Sequence, residues 1–177
     1  MDFDLIVIGS GPGGYVAAIR ASQLGLKTAV VERAETGGIC LNWGCIPTKA
    51  LLKSAQAYQY AKHAADYGIR VEGEVKPDFS AIVARSRGVA ETMGKGVQFL
   101  LGKYKVETIA GEAFLKPGKV VSVKMNADGT TKEFTAKHII LATGSRSKVL
   151  PNLPQDGKKI IGYRQAMTLP ERPESMI

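Results

Sequence analysis

The chain begins with an uninterrupted apolar run, Leu5-Ile6-Val7-Ile8, and breaks at Gly9-Ser10-Gly11-Pro12-Gly13-Gly14. It resumes over residues 15–24 with apolar residues at helical spacing. A short apolar run bounded by glycine fits a strand buried on both faces, and the change of period marks a helix behind it. Gly25 is placed to end that helix, and Thr28-Ala29-Val30-Val31 forms a second apolar run that stops at Glu32. The pattern predicts one βαβ unit.

Residues 46–62 carry Ala50, Leu51, Leu52, Ala55, Ala57, Tyr58 and Ala61 among good helix formers, which predicts a helix. Residues 65–76 are rich in Gly, Asp and Glu and read as a surface connection. A second long helix is expected over residues 79–101, capped by Asp78 or Ser80, with Gly88, Gly94 and Gly96 weakening its centre and Arg85, Arg87 and Lys95 as a solvated face. Residues 106–111 read as a third strand. Residues 113–115, 119–125 and 131–136 read as a small antiparallel meander, with Asn126-Ala127-Asp128-Gly129 as its hairpin turn. The chain re-enters the core through His138-Ile139-Ile140-Leu141 and stops at Ala142-Thr143-Gly144-Ser145; beyond Lys148, four prolines in polar sequence predict an extended linker. The fold class that follows is α/β, with a parallel sheet, flanking helices and a small antiparallel β-meander.

Length allows one substantial core in 177 residues, and 45% hydrophobic with 23% charged residues is globular. No apolar run has the length of a membrane span, and no repeat or low-complexity tract is evident. The net charge of +8 does not indicate a nucleic-acid partner, because the lysines are scattered and no recognised nucleic-acid motif occurs; an acidic remainder of a longer protein accounts for it better. Met1-Asp2-Phe3-Asp4 shows no signal pattern, so a reducing, cytoplasmic location is expected.

Two stretches carry chemistry. Gly9, Gly11 and Gly14 form a G-x-G-x-x-G turn between a strand and a helix, and an acid, Glu32, closes the second strand. Gly9 permits the tight turn, Gly11 lets backbone approach a pyrophosphate, and Gly14 lets helix pack on strand. The helix N-terminus offers N–H groups to phosphates, and Glu32 suits ribose hydroxyls while repelling a 2′-phosphate. The motif indicates a dinucleotide, NAD or FAD, without choosing between them.

The second stretch, Gly37-Gly38-Ile39-Cys40-Leu41-Asn42-Trp43-Gly44-Cys45-Ile46-Pro47-Thr48-Lys49, holds both cysteines. Cys45 is expected just before a helix N-terminus, where a thiolate is stabilised, with Cys40 on the loop ahead of it. A redox dithiol, a structural disulfide, two inert thiols and half a metal site are the readings open; a structural disulfide is disfavoured by the expected reducing location, zinc is disfavoured because neither His63 nor His138 has a suitable spacing, and no metal is expected. Thr143-Gly144-Ser145, at the carboxyl end of a buried strand, lies where open α/β sheets bind ligands, or is an ordinary strand-end turn. His138 reads as a structural or surface histidine, not a catalytic one.

Taken together, the glycine turn with Glu32, the segment from Cys40 to Lys49 and Ala142-Thr143-Gly144-Ser145 resemble the Rossmann-like FAD-binding domain of the pyridine nucleotide-disulfide oxidoreductases. Cys-Leu-Asn-x-Gly-Cys-Ile-Pro is most similar to the dihydrolipoamide dehydrogenase branch, the E3 components of 2-oxo-acid dehydrogenase complexes; glutathione- and mercury-type reductases usually read Val at two of these positions. Trp43 and Thr48 depart from the residues common there.

The resemblance implies a Cys40–Cys45 redox disulfide, with Cys40 as the interchange thiol and Cys45 as the thiol against the flavin. It implies Lys49 near the flavin's reactive nitrogen, and contacts to FAD from Gly9, Gly11, Gly14, Glu32, Arg33, Gly38, Ala113, Thr143, Gly144 and Ser145. It further implies oxidation of dihydrolipoyl groups on E2 components with NAD as acceptor, in a homodimer. The expected organisation is a first segment of the FAD domain over residues 1–147 and a linker over 148–177 toward an NAD domain outside this chain, so that the fragment alone does not turn over. A non-catalytic dinucleotide-binding module and a scaffolding role in a multienzyme complex stand as alternatives.

Overall fold

The computed structural model describes all 177 residues, which fall into two compact units: Met1–Asn42 with Thr92–Arg146, and Trp43–Glu91 with Ser147–Ile177. The first unit holds the sheet. β1 (Phe3–Ile8), α1 (Pro12–Gln23) and β2 (Thr28–Glu32) form the expected βαβ unit, followed by a five-residue helix, α2 (Gly38–Asn42). β1 lies between parallel neighbours, β2 on one side and β5 (Thr131–Leu141) on the other. Being covered on both faces, it has no polar alternation, and Ile6 and Val7 are wholly buried. The small residues Gly14, Ala18 and Ala21 are the buried positions of α1, and Gly25, at φ +86°, turns the chain out of it.

β2 also pairs in parallel with the first half of β3 (Glu107–Lys116). The second half of β3 pairs antiparallel with β4 (Val120–Met125), which pairs antiparallel with the first half of β5. The strand ladder therefore closes on itself in the order β1-β2-β3-β4-β5. Within it pack Phe3, Ile6, Ile8, Ala29, Val31, Ile109, Val121, Val123 and Ala136.

Here the structure corrects the sequence reading. Residues 106–111 and 113–115 are not two strands but one, and so are residues 131–136 and 138–141. β3 and β5 each serve two partners, changing from one to the other without a break. Gly111 marks the changeover in β3: a Cβ there would stand 2.5 Å from Val123 Cγ1 and 2.6 Å from the Lys124 carbonyl oxygen. The glycine reflects the close approach of β4, not the end of a strand.

The second unit contains α3 (Cys45–Lys62), a turn of 3-10 helix at Ala64–Tyr67 and α5 (Tyr163–Ala166). The residues of α4 (Phe79–Lys103) are divided between the units. Asp78 caps α4, its Oδ1 accepting from the Ala81 N–H at 2.9 Å. Arg85 and Arg87 do not belong to a merely solvated face. Arg85 Nη1 donates to the Ala50 carbonyl at 2.9 Å, joining α4 to α3, and the Arg87 guanidinium lies over the Trp43 ring. Nor is the carboxyl-terminal stretch simply extended: Asp156 Oδ1 accepts from the N–H groups of Lys158, Lys159 and Ile160, and α5 adds one helical turn. No helix is long and apolar enough to cross a membrane.

Candidate cofactor and disulfide site

The glycine turn sits at the carboxyl end of β1. Gly9 continues that end, donating its N–H to the Val31 carbonyl at 2.8 Å, while Ala142 N–H donates to the Ile8 carbonyl at 2.8 Å. Gly9 has φ +99°, and a Cβ on it would come within 2.3 Å of the Ala142 carbonyl oxygen. A Cβ on Gly14 would come within 1.9 Å of the Gly9 carbonyl oxygen. Both glycines are therefore required by the protein's own packing. Gly11 is different: its φ of −64° suits any residue, and a Cβ there would meet nothing within 4 Å. The fold does not need glycine at this position. A ligand approaching the backbone would, and a pyrophosphate at the N-terminus of α1 fits that requirement.

Glu32, at the end of β2, is firmly held. Its Oε2 accepts from Ser10 N–H at 2.9 Å and from Ser10 Oγ at 2.6 Å, while its Oε1 accepts from Ala34 N–H at 2.9 Å. Ser10 is completely buried, and its hydroxyl oxygen also accepts from Gly37 N–H at 3.2 Å. One side chain thus ties the glycine turn, the acid of β2 and the loop entering the cysteine segment together. Sequence reasoning passed over Ser10 because the fingerprint leaves its position open. The available signal was a lone hydroxyl amid glycines directly after a buried strand.

Gly37 and Gly38, at φ +93° and +61°, turn the chain into α2. A Cβ on Gly38 would stand 2.8 Å from Gly11 Cα, so these two backbone segments nearly touch. Cys40 accordingly lies inside a short helix, not on a loop, and Cys45 is the first residue of α3 instead of preceding it. Neither cysteine is free: both are disulfide-bonded, and as the only two in the chain they bond to each other. Asn42 Nδ2 donates to the carbonyls of Thr36 and Gly38, both at 3.0 Å, and so steadies α2 around Cys40. Gly44 offers α3 no capping side chain and the first turn holds no acid. That end of the helix keeps its positive character beside Cys45.

The other candidates are distributed more widely. Arg33 pairs with Glu112 at 3.7 Å, both side chains more than half exposed, and its carbonyl accepts from Asn126 Nδ2 at 3.1 Å. Ala113, next to Glu112, sits within β3 opposite Val123 and packs on the core. Thr143, Gly144 and Ser145 are exposed just past the carboxyl end of β5, with Gly144 at φ +67°. Lys49 is exposed on α3, four residues and hence one turn beyond Cys45. His138 lies in β5 opposite Leu5, and His63 ends α3 with its ring Nδ1 2.9 Å from the Gln59 carbonyl. No three His, Cys, Asp or Glu side chains group as metal ligands.

A dinucleotide turn with its acid, followed directly by a disulfide at the head of a helix, joins the features of a nucleotide-binding domain to those of a thiol–disulfide redox site, and comparison with known proteins reaches a family of that class. The model of the pyridine nucleotide-disulphide oxidoreductase family matches residues 3–176, and the chain belongs to that family. It is 52% identical over 191 residues to a dihydrolipoyl dehydrogenase of Rhizobium etli, an alignment covering 99% of this chain and 39% of that protein. It is 54% identical over 175 residues to a dihydrolipoyl dehydrogenase of Chlorobaculum tepidum, covering 99% and 37%. A leghemoglobin reductase of Vigna unguiculata is 45% identical over 177 residues, covering 98% and 33%. Among solved structures, LpdA of Mycobacterium tuberculosis superposes with a TM-score of 0.82 at 26% identity, covering 93% of this chain and 37% of that one. The chain therefore spans about two fifths of the length of the relatives it matches.

Proposed function

We propose that this chain is the flavin-holding, disulfide-bearing part of a cytoplasmic dihydrolipoyl dehydrogenase, which oxidises dihydrolipoyl groups on the E2 components of 2-oxo-acid dehydrogenase complexes with NAD as acceptor. The observation that carries the reading is the Cys40–Cys45 disulfide, reaching from α2 to the first residue of α3 in a chain that also bears the glycine turn and Glu32. In this reading residues 1–147 are the first segment of the FAD domain and 148–177 lead toward an NAD domain. The full-length protein is a homodimer.

Gly9, Gly11, Gly14 and Gly38 bring backbone to the FAD pyrophosphate, and Glu32, held by Ser10 and Ala34, takes the adenosine ribose. Arg33, after β2, Ala113, within β3, and Thr143, Gly144 and Ser145, past β5, complete the contacts. When bound, FAD supplies a two-electron acceptor for the reduced cysteines and a hydride donor to NAD. The chain's own chemistry lies at sulfur. A dihydrolipoyl thiolate attacks Cys40 Sγ, the Cys40–Cys45 bond breaks, and Cys45 leaves as a thiolate. The second lipoyl sulfur then displaces Cys40 and closes the lipoyl disulfide, so two electrons and two protons pass to the cysteine pair and its surroundings. The uncapped N-terminus of α3 favours the Cys45 thiolate, and Lys49, one turn on, is assigned to the flavin's reactive nitrogen.

The test uses the purified chain saturated with FAD and reduced anaerobically by two electrons. A long-wavelength absorption band from the Cys45 thiolate beside the flavin is expected, and Cys45→Ser should abolish it while Cys40 stays alkylatable. Bound flavin without that band, or a band indifferent to Cys45→Ser, overturns the reading; so does a chain that takes up no flavin. The chain alone is expected not to turn over dihydrolipoamide with NAD.

A further inference from the structure

Four residues, Leu41-Asn42-Trp43-Gly44, separate the two cysteines, and Trp43 is the only tryptophan of the chain. Two cations lie over its ring: the Arg87 guanidinium carbon is 4.3 Å from the ring centroid and that of Arg164 is 4.7 Å away. Tryptophan is the aromatic side chain that attracts such cations best, and a planar guanidinium can stack on it as a lysine ammonium cannot. The two arginines come from different elements. Arg87 follows the fully buried Ser86 on α4, and Arg164 lies on α5 in the carboxyl-terminal stretch. Trp43 is half-buried, and its ring takes one cation from each of these elements.

We infer that the Arg87–Trp43–Arg164 stack is a positioning device for the redox pair: it fixes the conformation of the short link between the cysteines, so that after reduction the two thiols stay within bonding reach of each other. The inference rests on the proposed function, in which Cys40 and Cys45 are opened and closed in every cycle. While the disulfide is intact, the covalent bond holds the link together with the contacts of Asn42 and Trp43. Once the bond breaks, the link is held by the Asn42 hydrogen bonds at one end and by the stacked indole at the other. A link restrained in this way keeps a high effective concentration of one sulfur at the other, which favours the disulfide. None of the three side chains takes part in bond making. They act through the cysteines, and their effect is on the dithiol–disulfide equilibrium.

The experiment equilibrates the chain anaerobically with mixtures of reduced and oxidised dithiothreitol and traps free thiols with a mass tag. In this exchange the chain's two thiols give two electrons and two protons to the dithiothreitol disulfide, so the fraction trapped gives the equilibrium constant directly. Trp43→Leu is expected to lower the constant for disulfide formation about tenfold, equivalent to about 30 mV for a two-electron couple. Trp43→Phe, which keeps an aromatic face, should stay within about threefold of the parent. Arg164→Gln alters an exposed side chain and keeps the test decisive should Trp43→Leu fail to fold; it should lower the constant about two- to threefold. Unchanged constants in natively folded Trp43→Leu and Arg164→Gln overturn the inference. A shift toward disulfide in Arg164→Gln also overturns it, since it assigns the arginines to stabilising thiolate charge instead of holding the link. A parent chain whose cysteines do not equilibrate at all removes the proposed function and this inference together, whereas a parent that titrates beside unchanged variants removes the inference alone.

Discussion

Gly11 and Gly14 are three positions apart in one motif, yet the structure requires them for different reasons. A methyl on Gly14 would run into the Gly9 carbonyl oxygen, a backbone atom that cannot yield without moving the strand end. Gly14→Ala should therefore destabilise the fold by about 2 kcal/mol or more, as overpacking does, and lower the urea midpoint. A methyl on Gly11 meets open space, so Gly11→Ala should leave the urea midpoint almost unchanged, within about 0.5 kcal/mol. Its expected effect is on the ligand: FAD affinity, measured by fluorescence quenching on titration, should fall at least tenfold. A Gly11→Ala chain that binds FAD like the parent would mean that the pyrophosphate does not lie against this backbone. Ser10 shows the complementary case of a polar residue with every bond accounted for within the protein. Its hydroxyl donates to Glu32 and accepts from Gly37, so its role is to hold the acid, not to touch a ligand.

Among the elements, those legible from sequence had local signals that tertiary packing did not override. β1, α1 and β2 announce themselves by two apolar runs, a glycine turn and a C-terminal glycine, and each appears where the pattern put it. α2 was not legible, because Gly37-Gly38 and a following apolar-and-cysteine stretch read as loop; five residues show no period, and the helix depends on the turn those glycines make. The unbroken length of β3 was hidden for a related reason: Gly111 looks like punctuation, and only the approach of β4 reveals why it is there. The same ambiguity affects the glycines of α4. Gly111→Ala should cost about 1–3 kcal/mol through the clash with Lys124 and Val123, whereas Gly96→Ala, at an exposed helical position with nothing within 4 Å, should stabilise by about 0.5–1 kcal/mol. Thermal melts of the two variants should move in opposite directions. Equal shifts would contradict the distinction between a glycine demanded by a neighbouring strand and one merely tolerated in a helix.

At the scale of the molecule, closure of the ladder gives every strand two partners, and the amino terminus is fastened by carboxylates as well as by backbone pairing. Asp2 Oδ2 accepts from Thr135 N–H at 2.8 Å and from Thr135 Oγ1 at 2.9 Å, binding the chain start to β5. Asp4 bridges two ways, to Lys137 Nζ at 2.7 Å and to the Lys27 N–H at 2.8 Å just before β2. Hydrogen bonds from Thr135 hold the Asp2 carboxyl below its ordinary range, and the Lys137 ammonium with the Lys27 N–H does the same for Asp4. A carboxyl depressed in the folded state contributes stability above its unfolded pKa and loses it as pH falls through the folded value. The urea midpoint should therefore change little between about pH 5 and 8 on account of these groups and decline below about pH 4. The positive net charge also disfavours the compact state in acid, so the parent curve alone does not isolate the carboxylates. The Asp2→Asn, Asp4→Asn double variant does: it should be less stable than the parent at neutral pH and converge with it in acid, because protonation removes from the parent what substitution has already taken. Parallel curves, with a constant gap down to pH 3, would show that these side chains act through shape and neutral hydrogen bonding, leaving the closed ladder to backbone pairing and the apolar core alone.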